Sequence, residues 1–427
     1  MTDEHGSSTS STAVRSGDDG PATMSPWLWL IYPIANGAMF MVWGGVMQVL
    51  LGKQVAAIVP GAAASAAALG TVTSIASISS VISQPVVGWL SDHTKVKFLG
   101  RRNVWIFGAG IVGVIGLMLQ SQIHSTLLLT ISWAAMMWPL NSVQAALTTV
   151  LPKRVPVKNR GFMSGLLGST NMVGSFIGVA LAGLSPKVFN GYVFICAIFL
   201  AITQIFAWTT KDISVPTASV KTDKKAVKGG KLLPGFKEAR NYWWTFIARF
   251  FMVFGYFVIM SFQLYILRDH IGIGDINKAS AFMVSLTGFS TVLGVIASAL
   301  GGFIADKVGH LALFVGASTL IMVPGGFVYW LVPSKTGAWI ATAFIGLGYG
   351  SYMAVDQALT SRVLPNVANA GRDLGIMNIA NAGPQVMAPA VTGAIVGATG
   401  SYTWPFVLMI VFCILAAITI CFVKGLK

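Results

Sequence analysis

The chain has 427 residues, of which 55% are apolar and only 10% are charged. Soluble domains carry about 25% charged residues, so the composition excludes an ordinary soluble protein, and the apolar content excludes a disordered one. The net charge of +15 would suit nucleic acid only if the basic residues shared one soluble face. They lie instead in short loops between long apolar stretches, which predicts a multi-pass protein of the cell membrane with no nucleic-acid partner.

Residues 1–25 are polar and contain four acidic residues and one arginine. A secretory signal needs a basic start and a short apolar core, and this segment has neither. We therefore expect a disordered cytoplasmic tail.

The rest of the chain contains twelve apolar stretches long enough to cross a bilayer, which takes about 20 residues. No stretch sustains the alternation of a barrel strand, so the sequence predicts an all-α membrane protein. The predicted spans are 27–50, 62–90, 103–120, 125–151, 161–184, 189–210, 242–267, 279–304, 311–333, 337–362, 373–397 and 402–423.

The basic residues predict the orientation of these spans. With the N-terminus in the cytoplasm, 22 Lys and Arg fall on the inside and five on the outside. Such a bias indicates that both chain ends are cytoplasmic. The five outside residues are Lys53, Lys187, Arg268, Lys278 and Lys335.

A polar, basic segment at 211–241 divides the spans six and six. It reads as a cytoplasmic linker that rests against anionic lipid head groups. We therefore expect two six-helix bundles, one over residues 26–210 and the other over residues 242–427.

The two halves of the sequence resemble each other. VVGWLSDHTK at 86–95 matches LGGFIADKVG at 300–309, and Gln144 matches Gln357 at nearly the same offset. Repeated landmarks in one order indicate two pseudo-symmetric halves in parallel orientation, with a binding site between them.

These two loop sequences resemble the signature of the major facilitator superfamily. The longer first copy is similar to that of the glycoside–pentoside–hexuronide cation symporters and the sucrose-type carriers. The resemblance implies the major facilitator fold and a conformational role for the loop residues. Asp92 and Asp306 would latch the outward-open state, or the loop residues would only fix the topology. The residues concerned are Gly88, Asp92, Arg101, Arg102, Gly302, Asp306 and Lys307.

Two charged side chains are predicted inside the spans, where charge is costly and usually paired or functional. Asp356 would either carry a proton or pair with Arg362 or Arg372, and we favour the pair with Arg372. Arg249 would either bind an anionic solute group or extend its head to the membrane surface, and we favour the second.

Amides, hydroxyls and aromatic rings share helix faces in several spans. Such a set suits a neutral polyol, because rings stack on sugar faces and amides exchange hydrogen bonds with hydroxyls. The alternative is that the polar groups bond between helices, as is common in membrane bundles. The candidate cavity residues are Asn36, Trp43, Asn141, Gln144, Asn171, Tyr256, Gln263, Tyr352, Asn378 and Asn381.

These features predict a monomeric secondary active transporter of a small-molecule substrate in the lipid bilayer. The resemblance implies sugar or glycoside symport with H⁺ or Na⁺, and no other cofactor is expected. Spans one to five lack a buried carboxylate, so facilitated diffusion stays open. Efflux of an amphipathic compound by proton antiport and a non-transporting sensor are the alternatives. No P-loop or hydrolase motif is present, so we do not expect an enzyme.

Overall fold

The computed structural model describes residues 25–94, 99–100, 102–156, 159–210, 235–236, 239–308, 310–363 and 370–423. Within these ranges the chain is helical and no strand occurs. The predicted tail at 1–25 and linker at 211–241 lie almost wholly outside the described residues. The predicted domain boundaries therefore stay predictions.

Six long helices occur in the described residues of the first part of the chain, which we call the N half. The first of them contains a π-helical segment over Trp43–Leu50 and ends before Gly61, whose positive φ of 96° favours glycine. The helices are α1 (Pro26–Ile58), α2 (Ala62–His93), α3 (Asn103–Gln120), α4 (Thr126–Thr148), α5 (Arg160–Leu184) and α6 (Val188–Thr209).

Six further helices form the C half. After the first of them, the chain continues through a short helix at Gln263–Tyr265 and a π-helical turn at Ile266–His270. The six helices are α7 (Arg240–Met260), α8 (Ile276–Val308), α9 (Leu311–Leu331), α10 (Lys335–Arg362), α11 (Ala370–Thr399) and α12 (Thr403–Ile420).

Ten of these helices are long and apolar enough to cross a membrane. The other two are α4, with 23 residues, and α11, with 30. The predicted all-α membrane fold is therefore confirmed, whereas the number of twelve spans and the cytoplasmic position of the chain ends stay predictions.

The helices of each half pack in the same pattern. In the N half, α1 contacts α5 and α6, α2 contacts α4, and α3 contacts α4 and α6. In the C half, α7 contacts α11 and α12, α8 contacts α10, and α9 contacts α10 and α12. The two sets of six helices thus repeat one arrangement, as the sequence repeat predicts.

Glycine brings α1 and α5 into close contact. A Cβ atom added to Gly174 would lie 2.1 Å from the carbonyl oxygen of Gly37, and one added to Gly178 would lie 2.0 Å from that of Met41. Only glycine permits this approach, which is how small residues stabilise membrane bundles. The GxxxG motif therefore packs helices within the N half.

The halves meet along two helix pairs, α2 with α11 and α5 with α8. Gly70 of α2 faces Gly393 of α11, and a Cβ atom on Gly70 would lie 2.7 Å from the Cα of Gly393. On the other pair, a Cβ atom on Gly183 would lie 2.9 Å from the carbonyl oxygen of Ser280. Backbones therefore touch directly across the interface.

Hydrogen bonds join the halves at the end of the bundle where α1 ends and α2 begins. We call this end the sealed end. It carries three bonds between the halves: Tyr265 Oη to Gly52 O at 2.9 Å, Arg268 Nη2 to Ser65 Oγ at 3.0 Å, and Ser280 Oγ to Gly183 O at 2.9 Å. The predicted topology places the sealed end on the outside of the membrane.

Toward the opposite end the halves diverge. On α5, Phe176 and Met172 face Gly288 and Gly294 of α8, but Gly168, one turn further along the same face, has no neighbour within 4 Å of an added Cβ. Exposed rings lie at this end, including Trp89 at 60% and Phe303 at 60% exposure. The arrangement is closed at one end and open at the other.

Candidate functional site

A buried ion pair joins α7 to α10 in the C half. Arg249 Nε donates to Asp356 Oδ1 at 2.9 Å, and Nη2 donates to Asp356 Oδ2. Nη2 also donates to Thr360 Oγ1 at 2.7 Å, and Tyr352 Oη donates to Asp356 Oδ1 at 2.7 Å. The two charged side chains are only 8% and 9% exposed. The carboxylate is thus neutralised and fully bonded inside the bundle.

This pair corrects the expectation for Arg249 and gives Asp356 a partner that the sequence did not predict. Arg249 does not extend to the membrane surface, because it is buried and holds Asp356. The partner that the structure describes for Asp356 is Arg249 on α7, and a pair with Arg372 stays a prediction. Arg362 is exposed, and the side chain of Arg372 lies outside the described residues. Sequence spacing could not reveal the pair, because α7 and α10 come together only in the tertiary fold.

A stacked aromatic pair bridges the same two helices. The rings of Tyr256 and Tyr349 are 3.9 Å apart at their centroids and 13° from parallel. Tyr256 follows Arg249 by seven residues, and Tyr349 precedes Asp356 by seven. Seven residues are about two helical turns, so both pairs lie on one face of each antiparallel helix. We call the two side-chain pairs the α7–α10 ladder.

Polar residues of the N half bond between helices. The Asn36 amide donates to Asn171 Oδ1 and joins α1 to α5. Asn141 of α4 donates to the hydroxyls of Ser80 and Ser83 of α2 at 2.9 and 2.8 Å. Their side-chain bonds match the interhelical alternative, and a role toward the solute stays a prediction for these three asparagines.

Other predicted cavity residues retain free or weakly held polar groups. The Gln144 Oε1 atom is buried and has no hydrogen-bond partner among the described residues. Asn378 is exposed, and Asn381 accepts a long bond of 3.4 Å from Gln385. Gln263 is buried and donates to Tyr329 at 3.5 Å inside the C half. Trp43 packs edge-on against Trp133 at 6.2 Å.

Lys53 lies where the sequence did not predict it. Instead of an outside loop, it occupies the last turns of α1 and is 3% exposed. Its ammonium donates to the carbonyl oxygens of Ala182, Gly183 and Ser185 at 3.1, 3.3 and 2.9 Å. These belong to the C-terminal end of α5, where carbonyls lack helical partners and attract cations. Lys53 therefore fixes the α5 end at the sealed end.

A charged group on the C-half side completes the sealed end. Arg268 pairs with Asp269 and lies over the Tyr265 ring at 4.4 Å, while Tyr402 Oη donates to Asp269 at 2.9 Å. Burial opposes the charge of Arg268, but Asp269 raises its pKa. Burial and the charge of Asp269 raise the pKa of Tyr402. The arginine therefore stays charged and the tyrosine neutral.

The loop signature is only partly described. Gly88 has open space around an added Cβ, Arg102 precedes α3, and the Lys307 ammonium lies 4.5 Å from the Phe303 ring. The other predicted loop residues lie outside the part of the chain whose side chains are described: Asp92, Arg101, Gly302 and Asp306. Among the described residues no group of three or more His, Cys, Asp or Glu comes together.

Comparison with known sequences gives one family. The model of the Major Facilitator Superfamily matches residues 28–389. An MFS-type transporter of Gibberella moniliformis is 24% identical over 251 residues, which are 58% of this chain and 57% of that protein. The chain thus matches little more than half the length of this curated relative.

Solved transporters share the fold. A D-xylose-proton symporter aligns with a TM-score of 0.71 and 15% identity, covering 94% of this chain and 98% of its own. A nucleoside transporter aligns at 0.68 and 15%, covering 93% and 100%. A bacterial homolog of the human lysosomal transporter Spinster, inward-facing and unoccupied, aligns at 0.63 and 16%, covering 93% and 98%.

Proposed function

The chain belongs to the Major Facilitator Superfamily, and on that premise we propose that it carries a small neutral polar solute across the cell membrane by alternating access. The solute class is a sugar or glycoside, and a cation, H⁺ or Na⁺, is the coupling ion. The protein works as a monomer in the bilayer. This is the activity of the glycoside–pentoside–hexuronide group that the loop motifs resemble.

The observation that carries this proposal is the unequal contact between the halves. Backbone contact at Gly70 and Gly393 and the Arg268–Ser65 bond hold one end together, while Gly168 has no neighbour across the other end. A carrier needs two such arrangements that exchange, each exposing the site to one side. With the predicted topology, this arrangement faces the cytoplasm.

The α7–α10 ladder supports a neutral solute. Arg249 and Asp356 cancel each other's charge, and Tyr256 and Tyr349 supply aromatic surface two turns away. Sites for small polar molecules combine apolar or aromatic walls with a few placed polar groups. Asp356 is also a buried carboxylate, so it is our candidate for the coupling site. Asp92 and Asp306 remain the proposed latch of the outward-open state.

Flux into liposomes tests the proposal. Purified chain is reconstituted, and uptake of labelled sugars and glycosides is followed with an imposed pH or sodium gradient, with protein-free liposomes as the control. We expect uptake that follows one gradient. Uptake that stops at equal concentrations inside and outside, with either gradient imposed, would contradict coupling and leave facilitated diffusion. Loss of drug resistance in cells lacking the protein, without sugar flux, would support efflux. Solute binding without any flux would indicate a sensor.

A further inference from the structure

We propose that the α7–α10 ladder selects a two-ring solute, a glycoside whose sugar hydroxyls bind Arg249 and whose second ring stacks on the outer face of the Tyr256–Tyr349 pair. This inference rests on the proposed function and assigns Tyr349 a role in specificity. Four observations carry it: an unused donor, an accessible aromatic pair, the distance between them, and the local charge.

The unused donor is Nη1 of Arg249. Asp356 and Thr360 accept bonds from Nε and Nη2, while Nη1 has no acceptor among the described residues. A guanidinium has five N–H groups, and two of them belong to this nitrogen. Nη1 is also absent from the buried polar atoms that lack partners. It therefore retains accessible surface and can donate two bonds to solute oxygens.

The aromatic pair is accessible as well. Tyr256 and Tyr349 are only partly buried, and neither hydroxyl has a hydrogen-bond partner within the described ranges. The helices that carry them touch at few positions, and the stacked rings join them there. A solute ring that packs on the outer face of this pair meets the π-surface of one tyrosine.

The distance between the two pairs sets the length of the solute. Seven residues at 1.5 Å rise correspond to about 10.5 Å along each helix. The hydroxyls of a single pyranose ring are only a few bond lengths apart, so a solute of two rings joined by a glycosidic bond matches this backbone spacing better than one ring does. The seven-residue spacing is the same on α7 and α10, so both ends of such a solute face a pair.

The charge balance selects against ionic solutes. A carboxylate bound to Nη1 would approach Asp356, and an ammonium on the tyrosines would gain only their cation–π attraction, since the ion pair beside them carries no net charge. A buried pair that is already balanced favours neutral hydroxyls, because any added charge would stay uncompensated in the bundle.

Binding to matched methyl and phenyl glycosides tests the inference. Purified full-length chain in detergent is titrated by calorimetry with the methyl and phenyl β-glycosides of glucose, galactose and xylose. For the sugar that binds, the phenyl glycoside should bind about two- to tenfold more tightly than the methyl glycoside, as expected for one aromatic stack. Tyr349→Leu should bring this ratio close to one, and Tyr256→Leu should lower it.

The control is Phe251→Leu, which removes an α7 ring that packs on Phe412 instead of on α10. The phenyl-to-methyl ratio should persist in this variant, and a ratio within one variant is insensitive to its stability. Arg249→Lys should weaken both glycosides equally. The inference is overturned by equal affinities in the unmodified chain, by a ratio that survives Tyr349→Leu, or by no binding of any glycoside. If the chain then carried another solute across liposome membranes, the proposed transport function would still stand.

Discussion

Gly70 and Gly393 touch backbone to backbone across the two halves. A Cβ atom added to Gly393 would lie 2.5 Å from the Cα of Gly70, closer than real Cβ atoms come. Both residues lie within helices, α2 and α11, so neither glycine is needed for its own backbone conformation. Because neither residue has a side chain, the two helices can touch and close the sealed end.

Gly393→Ala should therefore weaken closure of the sealed end. Overpacking a tight contact costs about 1–3 kcal/mol, a roughly 5- to 150-fold shift in a two-state equilibrium. A cysteine at Ala67, which lies against Gly397, reports the opening through its labelling rate by a membrane-impermeant maleimide. Labelling should rise and solute flux should fall. The assay uses a Cys421→Ser background, because Cys421 is exposed.

Gly108→Ala is the matched control for this change. Gly108 also lies within a helix, but an added Cβ has no neighbour within 4 Å there. Labelling at Ala67→Cys should match that of the unmodified chain. Equal labelling in both glycine variants would contradict the role of the Gly70–Gly393 contact.

The bond from Arg268 to Ser65 should also affect the equilibrium between the closed and open states of the sealed end. Ser65→Ala removes the acceptor of this bond, and Arg268→Ala removes the donor and the charge. A hydrogen bond to a charged group contributes about 1.5–3 kcal/mol, so labelling at Ala67→Cys should increase about tenfold or more. Lys278→Ala removes an exposed cation of the same half and should have no effect. Unchanged labelling in Ser65→Ala would refute this function of the bond.

The sequence predicts the helical fold well and the contacts of the site poorly. Apolar length and the loop repeat predict the α-helices and the matching halves, because these signals are local or periodic. The partner of Asp356 lies 107 residues away on α7, and no local spacing encodes such a contact. The sequence misplaced Lys53 for a related reason. A single cation at the end of an apolar segment indicates a loop, and the carbonyls that bind Lys53 inside the bundle come from another helix, which the sequence does not reveal.

The misplaced lysine yields a stability prediction. Lys53→Met should leave the carbonyls of Ala182 and Ser185 without the ammonium donor in a buried site, while Gly183 keeps its bond from Ser280, at a cost of about 1–3 kcal/mol. Thermal unfolding in detergent should show a lower midpoint. Lys187→Met removes a nearby exposed lysine just beyond the end of α5 and should leave the midpoint unchanged. Equal midpoints for the two variants would mean that Lys53 does not fix this helix end.

The Arg249–Asp356 pair predicts strong non-additivity. Asp356→Asn leaves a buried guanidinium uncompensated, and Arg249→Gln leaves a buried carboxylate, so each should lower the free energy of unfolding by about 3–5 kcal/mol. The double variant removes both charges and should recover most of that loss. Denaturant unfolding of all four proteins in detergent measures the coupling energy. Additive losses would show that the two charges do not stabilise each other. Flux of the double variant under a pH gradient adds the functional readout: if Asp356 carries the coupling proton, folding recovers while the dependence on the gradient does not.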